Sequence, residues 1–304
     1  MAIYNFKQNT KFYLVYAGLQ YTLDVYKDAS FSQTFTEESI NKRTIHDQSL
    51  LFDGAVITKA APANFSFTIP LLDEDDLKIV FNLLTGYDSS YNINYFDLYA
   101  QTDKDMYKLE KCVIESGQFN IKMNSPMSLA ISGSASKLSR VGSNTYTILG
   151  TPTVVTRSTA RTYIPLKYLK VTIGGNELDY ITAVSLSLQN KITWRPPETL
   201  QASLAVTSAA NTIYPLNFDL DNRIFTGAIE QYVTDASYTN LQTWAIGSAI
   251  TIQAGAKPNY YTLDVNIPSA VYTNRVESGD LFTQTFDFRM LSNPTALSSV
   301  IVYN

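Results

Sequence analysis

Hydrophobic and polar residues alternate one by one along much of the chain, which is the pattern of β-strands that bury one face. In the segment from Asn64 to Ile69, Phe65, Phe67 and Ile69 are apolar, and the residues between them are Ser and Thr. The same alternation recurs in residues 29–35, 127–136, 184–189, 217–221 and 282–288. It predicts a mainly β protein whose strands present short polar side chains on their outer face.

Two segments depart from this alternation and follow the helical period instead. Residues 73–84 place their apolar side chains on one stripe, and their acidic first turn suits the positive end of a helix dipole. Gly86 follows as a helix terminator. A second stripe follows Asp235 and is closed by Gly247 in the same way. Each half of the chain is therefore predicted to contain one helix that flanks its strands.

The order of features in the first half is repeated in the second half. Matches with a step of 155 residues are Tyr13-Leu14 with Tyr168-Leu169, Leu23-Asp24 with Leu178-Asp179, and Ser30-Phe31-Ser32 with Ser185-Leu186-Ser187. A later match, from Tyr107 to Tyr261, has a step of 154 residues. The repeat predicts two related domains, residues 1–155 and 156–304, joined within the Ser- and Thr-rich tract 142–162.

Composition narrows the classes of function. The chain has 304 residues, a formal net charge of −4 and only 16% charged residues. An acidic balance argues against a protein that grips nucleic acid, because such proteins need a basic footprint. The single cysteine cannot form an intrachain disulfide, and no stretch has the apolar character of a membrane span or a signal peptide. We therefore expect the chain to fold in a reducing cytoplasm.

Candidate catalytic and metal-binding groups are few. His46 is the only histidine, which excludes a metal site with several histidines, and no nucleophile-elbow sequence supports a Ser-His-Asp triad. Cys112 lies in an apolar strand pattern, which favours a buried thiol over a nucleophile. The acidic run 73–76 lacks the spaced Asp/Asn–Gly pattern of a calcium loop, so helix capping explains it. We expect no catalytic residue, no cofactor and no metal.

The outer face of the predicted strands is rich in Ser, Thr, Asn, Gln and Asp and poor in Lys and Arg. One interpretation is an ordinary solvent-facing sheet that happens to be rich in Ser. The other is a surface along which a polyanion slides, since DNA carries one negative charge per about 1.7 Å of its axis. Each surface ion pair with a phosphate is worth up to about 1 kcal/mol, so a basic face would hold DNA in place and a neutral face would not.

These segments together resemble a known family. Their order comprises a strand with Phe31, Phe35 and Glu37, a polar hairpin, a strand with Phe65 and Phe67, a helix with an acidic first turn, and a closing Ser-rich strand. This order resembles the tail tube protein of long-tailed bacteriophages, of the type in which two fused tube domains form trimeric, pseudo-six-fold rings. The resemblance implies two tandem β-barrel or β-sandwich domains that join across subunits into a closed ring barrel.

The resemblance also implies a function. Homotrimeric rings would stack into a hollow tube of the virion tail, which conducts double-stranded DNA during ejection without binding it specifically. Partners would be the tape measure, terminator and baseplate proteins, and assembly would take place in the host cytoplasm without membrane insertion. Two alternatives stay open. One is a related tail or baseplate initiation protein, and the other is a tandem β-sandwich that binds carbohydrate through Tyr and Trp rings.

Two sets of residues take their roles from the resemblance. The positions expected to line the channel are Ser30, Ser32, Thr34, Ser66, Thr68, Ser132, Ser134, Ser185, Ser187, Asp219, Asp221, Thr283 and Asp287. The positions expected to lie in hairpin arms that bridge stacked rings are Glu37, Glu38, Lys42, Arg43, Lys191, Trp194, Arg195 and Glu198.

Overall fold

The chain is mainly β-structure, as the alternation of side chains predicts. The computed structural model describes residues 10–25, 28–42, 51–70, 76–86, 93–122, 125–153, 167–195, 213–234, 247–257, 260–291, 297 and 300–303. Within these residues one α-helix, α1 (Asp76–Thr85), accompanies the strands. It confirms the helix predicted for the first half. Residues 73–75 and the helix predicted after Asp235 lie outside the described residues.

Strands cover most of the described residues in both halves. The first half contains β1 (Lys11–Tyr16), β2 (Leu19–Leu23), β3 (Ser30–Ser32), β4 (Phe35–Lys42), β5 (Leu51–Ala60), β6 (Ala63–Pro70), β7 (Phe96–Gln101), β8 (Asp105–Lys122), β9 (Ser128–Ala135), β10 (Lys137–Ser143) and β11 (Thr151–Pro152). The second half contains β12 (Tyr168–Ile173), β13 (Asn176–Glu177), β14 (Ile181–Arg195), β15 (Asn217–Tyr232), β16 (Ser248–Lys257), β17 (Tyr260–Ser278), β18 (Phe282–Met290) and β19 (Ile301–Tyr303).

One antiparallel sheet, which we call the main sheet, runs across both halves of the chain. Its strand order is β3–β6–β9–β8–β14–β15–β18–β17. The halves meet where β8 pairs with β14, with Gln118 opposite Ser187 and Asn120 opposite Ser185. The polar outer positions of the two halves are therefore continuous.

Further strands form a second layer. In the first half its order is β2–β1–β7–β8–β10, and in the second half it is β13–β12–β16–β17–β19. The long strand β8 belongs to both layers: residues 105–112 pair with β7 and β10, and residues 113–122 pair with β9 and β14. The buried side chains of both layers make one contiguous core, in the manner of a β-sandwich.

Strand pairing in the second half follows the same order as in the first half. β1 pairs with β2 and β7, as β12 pairs with β13 and β16. The pairs β7–β8, β8–β9, β6–β9 and β3–β6 correspond in the same way to β16–β17, β17–β18, β15–β18 and β14–β15. The matched sequences fall on corresponding strands, since Ser30-Phe31-Ser32 forms β3 and Ser185-Leu186-Ser187 lies in β14.

Helix α1 packs on strands of both halves. Val80 and Leu84 of the predicted apolar stripe are fully buried. The Phe81 ring stacks on Tyr303 of β19 with ring centroids 4.6 Å apart, and it lies 5.4 Å from the ring of Phe119 in β8. The helix thus contributes to a core that the two halves share.

The C-terminal end of α1 is capped by side chains from the second half. Arg223 of β15 is 9% exposed and donates from Nη1 to the carbonyl of Thr85 at 2.9 Å, and from Nε to Oδ1 of Asn190 at 2.6 Å. Asn190 donates to the carbonyl of Ile114 at 2.9 Å. A cation at this position satisfies free carbonyls and opposes the negative end of the helix dipole.

Two glycines of the main sheet allow an aromatic ring to lie directly across from them. Gly133 in β9 is opposite Phe65, and Gly227 in β15 is opposite Phe288. A Cβ atom at Gly133 would lie 2.1 Å from the carbonyl oxygen of Val113 and 2.6 Å from the Phe65 ring. These positions therefore need glycine for close packing of ring and backbone.

Candidate functional site

The main sheet has one buried apolar face and one open polar face. In β8, Phe119 and Ile121 are buried, whereas Gln118 and Asn120 are exposed. Directly opposed residues of antiparallel neighbours lie on the same face, so polar positions on adjacent strands form continuous rows. We call this surface the polar face.

One row of the polar face consists of serines. Ser30, Ser66, Ser132 and Ser116 are successive Cα partners on β3, β6, β9 and β8. The hydroxyls of Ser30 and Ser66 share a hydrogen bond of 2.8 Å. Short hydroxyl groups that bond to one another leave this part of the surface smooth and neutral.

The middle of the polar face is a shallow groove of about 570 Å³. Its polar lining consists of Gln118, Asn120, Ser185, Ser187, Thr226, Thr273, Asp287 and Arg289. The groove crosses the β8–β14 junction, so both halves of the chain contribute to it. Amides and hydroxyls occupy its centre, and the charged side chains lie on β18 at one side.

Most residues predicted to line a channel lie on this polar face. They are Ser30, Ser32, Ser66, Thr68, Ser132, Ser185, Ser187, Thr283 and Asp287. Thr34 is exposed in the short connection between β3 and β4. The sequence prediction omitted Ser116, Gln118 and Asn120, which occupy the centre of the face. Their strict alternation with Gly117, Phe119 and Ile121 was the signal that could have found them.

Three of the predicted lining residues do not belong to the open groove, although Ser134 lies on the polar face opposite Asn64. Ser134 is only 2% exposed because the indole of Trp194 covers it, donating to its hydroxyl at 2.7 Å. Asp219 and Asp221 lie at the start of β15, opposite or beside arm residues, and not with the strands that form the groove. They follow the same alternation as the other strands, but a bulge between Lys191 and Ile192 redirects this end of the β14–β15 pair.

The expectation of a polar face poor in cations is only partly right. Lys122, Arg275 and Arg289 are exposed on it, at strand ends and on the last two strands. Acidic groups accompany the two arginines: Arg275 Nε lies 3.2 Å from Glu277 Oε1, and Asp287 is two residues from Arg289 on the same face. The face thus has a neutral region on β3, β6 and β9 and a mixed-charge region on β17 and β18.

The first predicted arm is a two-stranded ribbon of β4 and β5. Glu37 is opposite Ile57, Glu38 is opposite Val56, and Lys42 is opposite Leu51. The sequence suggested that these residues form a hairpin tip, but strand pairing extends through them. Arg43 and His46 lie outside the described residues, as does the rest of segment 43–50.

The second predicted arm is the end of the β14–β15 hairpin. The Trp194 ring packs against Phe218 with centroids 5.2 Å apart, and Arg195 forms an ion pair with Asp219. Lys191 is exposed and lies opposite Asn222. Glu198 lies outside the described residues. This arm is therefore held by aromatic packing and by charge pairing across its two strands.

The bases of the two arms meet. The amide of Ala60 in β5 donates to the carbonyl of Ile213 at 2.9 Å, and the Phe35 ring makes an edge contact with Tyr214 at 6.3 Å. The hydroxyl of Ser136 donates to the carbonyl of Pro215 at 2.6 Å. Segment 213–216 of the second half therefore fixes the base of the first arm.

Lys111 occupies the point at which β8 passes from one layer to the other. Its backbone has a φ of +53°, and its ammonium donates to the carbonyl of Leu216 beside the second arm. The ammonium lies 5.3 Å from the ring centroid of Tyr95 and 5.6 Å from that of Phe218. Burial lowers the pKa of Lys111. The residue lines a cleft of about 660 Å³ between this bend and the arm.

The candidate catalytic groups have ordinary structural surroundings. Cys112 is fully buried, which confirms the prediction of a buried thiol, and burial raises its pKa. The described part of the chain contains no cluster of His, Cys, Asp and Glu that could hold a metal ion. No helix in the described ranges has the length and apolar character needed to cross a membrane.

Comparison with known proteins assigns the chain to a family. The profile of the Bacteriophage Baseplate Tube Protein Family matches residues 2–303. The chain therefore belongs to this family and has a structural role in the phage tail or baseplate. No curated protein matches it in sequence. Membership in this family confirms the broad expectation of a phage tail or baseplate tube component.

Proposed function

We propose that the chain is a subunit of the phage baseplate tube and that its copies form trimeric, pseudo-six-fold rings with the polar face lining the channel. The observation that carries this proposal is the polar face, a concave surface made by both halves in a protein of the baseplate tube family. The role is structural and non-catalytic, and it requires no cofactor.

The corresponding strand pairings of the two halves support an internal duplication. A ring of three such chains would contain six similar modules, where a relative with one module would need six subunits. The main sheet also supports ring closure, because a sheet that joins end to end across subunits leaves no open edge. Domains 1–155 and 156–304 are the modules of this proposal.

The passage of DNA is passive in this account. Serine hydroxyls and amides on β3, β6, β9 and β8 offer phosphates no strong ion pair, and the cations Arg275 and Arg289 have acidic neighbours on the same face. Ion pairs repeated along a channel would add up to a strong, salt-dependent grip. The mixed, nearly neutral lining would let double-stranded DNA slide during ejection.

The arms provide the contacts between successive rings. Both arms extend from one region of the molecule, where segment 213–216 joins their bases. A head-to-tail contact of this kind does not close on itself and therefore generates a stack. The tape measure, terminator and other baseplate proteins are the expected partners, in a virion tail assembled in the host cytoplasm.

The chain could also initiate the tube and not build its full length. The description of the family as baseplate tube proteins favours a position at the baseplate. An initiator would form one ring or a short stack, whereas a tube subunit would polymerise. Electron microscopy of the purified chain over a range of concentrations separates these two functions.

Lysine substitutions on the polar face test the proposed channel. Phage particles that carry Ser30→Lys, Ser132→Lys and Ser185→Lys should assemble and eject DNA more slowly, with the delay reduced at high salt. Lysines at Asn176 and Glu177, which lie on an exposed turn strand away from the polar face, provide the control. Unchanged ejection in the first variant would contradict a channel lined by this face.

A further inference from the structure

The two outermost strands of the main sheet each have an edge with no pairing partner among the described residues. At one side, β3 pairs only with β6. At the other side, residues 273–278 of β17 pair only with β18 among the described strands. Open edges of this kind present free backbone donors and acceptors and readily pair with another chain.

The junction between the halves shows how such edges can be joined. β14, the counterpart of β3, pairs antiparallel with β8, the counterpart of β17. The same junction is missing at the ends of the chain, where β17 and β3 lie at opposite sides of the sheet. A second copy could therefore supply to β17 the strand that β14 supplies to β8.

The cross-strand partners give the residue-by-residue correspondence between the halves. In the first half the successive partners are Phe31, Phe65, Gly133 and Ile114, and in the second half they are Leu186, Gly227, Phe288 and Tyr272. Continuing along β8 and β17 past the bulge after Ile114, Gln118 corresponds to Arg275, Phe119 to Val276, and Asn120 to Glu277.

The residue of β17 that corresponds to a buried residue of β8 is exposed, as expected if a neighbouring strand is missing there. Phe119 is 0% exposed, and its neighbour across the junction, Leu186, is 1% exposed. Val276, the counterpart of Phe119, is 51% exposed, although it lies opposite the fully buried Gln284. The exposed apolar side chain lies on the core side of the sheet, where a further strand would cover it.

We propose that β17 of one copy pairs antiparallel with β3 of the next copy, in the register of the β8–β14 junction. Glu277 then lies opposite the next copy's Ser30, Val276 opposite its Phe31, and Arg275 opposite its Ser32. This inference rests on the proposed ring, and it specifies which edges close the ring and in which register. The partner is a second copy of this chain.

Cysteine cross-linking tests the register. In the chain carrying Ser30→Cys and Glu277→Cys, the two thiols of neighbouring copies would be directly opposed, with Cβ atoms about 5 Å apart. Mild oxidation should convert monomers into a ladder on non-reducing gels that ends at the copy number of the ring. The natural Cys112 is fully buried and does not interfere while the protein is folded.

Two matched variants control this experiment. In Ser30→Cys with Thr273→Cys, the second thiol is four residues along β17, about 13 Å from the paired position, and should give little cross-linking. Asn120→Cys with Ser185→Cys places the same pair at the intrachain junction, and should form a disulfide without a ladder.

The outcomes separate the register from the proposed function. A ladder from the Thr273→Cys variant in place of the Glu277→Cys variant would overturn the register. Hollow rings in electron micrographs without a ladder from either variant would overturn the β17–β3 junction and leave the tube function standing. Protein that stays monomeric at every concentration, with no rings, would overturn both the junction and the tube function.

Discussion

Trp194 Nε1 donates a hydrogen bond of 2.7 Å to the hydroxyl of Ser134, and this contact joins the second arm to the first half of the molecule. Ser134 in turn donates to the carboxylate of Glu115. The Trp194 ring also packs on Phe218 of the opposite strand in the arm. Ser134, which the sequence pattern assigned to the channel lining, therefore helps to fix the direction in which the arm leaves the main sheet.

Removing the indole donor should weaken this attachment. We expect Trp194→Phe, which keeps a ring on Phe218, to lower the free energy of unfolding by about 1 kcal/mol because the Ser134 hydroxyl loses a partner. Urea unfolding of Trp194→Phe, Ser134→Ala and the double variant measures the coupling. If the two single effects simply add, the hydrogen bond does not fasten the arm.

Replacing Arg223 should uncouple the second half from helix α1. Arg223→Met retains much of the side-chain volume but leaves the buried carbonyl of Thr85 and the amide oxygen of Asn190 without its hydrogen bonds. We expect a loss of about 2–3 kcal/mol in the free energy of unfolding. Arg223→Lys should recover only part of it, because an ammonium lacks the planar fork of donors. If Arg223→Lys recovered the full free energy of unfolding, the positive charge and not the arrangement of donors would explain the role of Arg223.

The close packing at Gly133 predicts a severe effect of a single methyl group. Gly133→Ala would bring Cβ to 2.1 Å from the Val113 carbonyl oxygen, which is backbone and cannot move aside. We expect the free energy of unfolding to fall by about 3 kcal/mol, which is at the upper end of the range for overpacked cores. Gly279→Ala, whose nearest atom would be 3.7 Å away, is the control and should unfold at nearly the same urea concentration as the natural chain. Equal stability of the two variants would refute the tight pairing with Phe65.

The buried thiol predicts a pH dependence of stability. Burial raises the pKa of Cys112 in the folded chain above the value of about 8.5 for an unfolded thiol. Above that pH the unfolded chain releases a proton that the folded chain keeps, so stability falls as pH rises. Urea unfolding at pH 7.5 and 9.5 should show this fall in the natural chain and a smaller one in Cys112→Ala. An identical fall in both would assign it to other groups.

The strand content, and which residues of each strand lie on its polar side, were predictable from the sequence because both depend on local alternation. Ser30, Ser66 and Ser132 came together in one row as a consequence of strand pairing in register. The first helix was predictable for a similar reason, since its stripe and Gly86 are local signals.

Other features depend on contacts distant in sequence and could not be predicted. Ser134 follows the same alternation as Ser132, but Trp194, sixty positions further along the chain, covers it. The cap that Arg223 places on α1 connects residues 138 positions apart. The exposed cations were overlooked for a different reason. Arg289 continues the alternation of β18 one residue past the predicted segment 282–288, and β17, which carries Arg275, was not among the predicted strands.

Cryo-electron microscopy of the purified chain under assembly conditions would show whether the polar face lines the channel of a ring. We expect hollow rings of pseudo-six-fold appearance in which Ser132, Gln118 and Ser187 face the bore and the arms project toward the next ring. Rings whose bore is lined by the other face of these strands, or solid particles without a channel, would contradict the proposal that the polar face lines the channel.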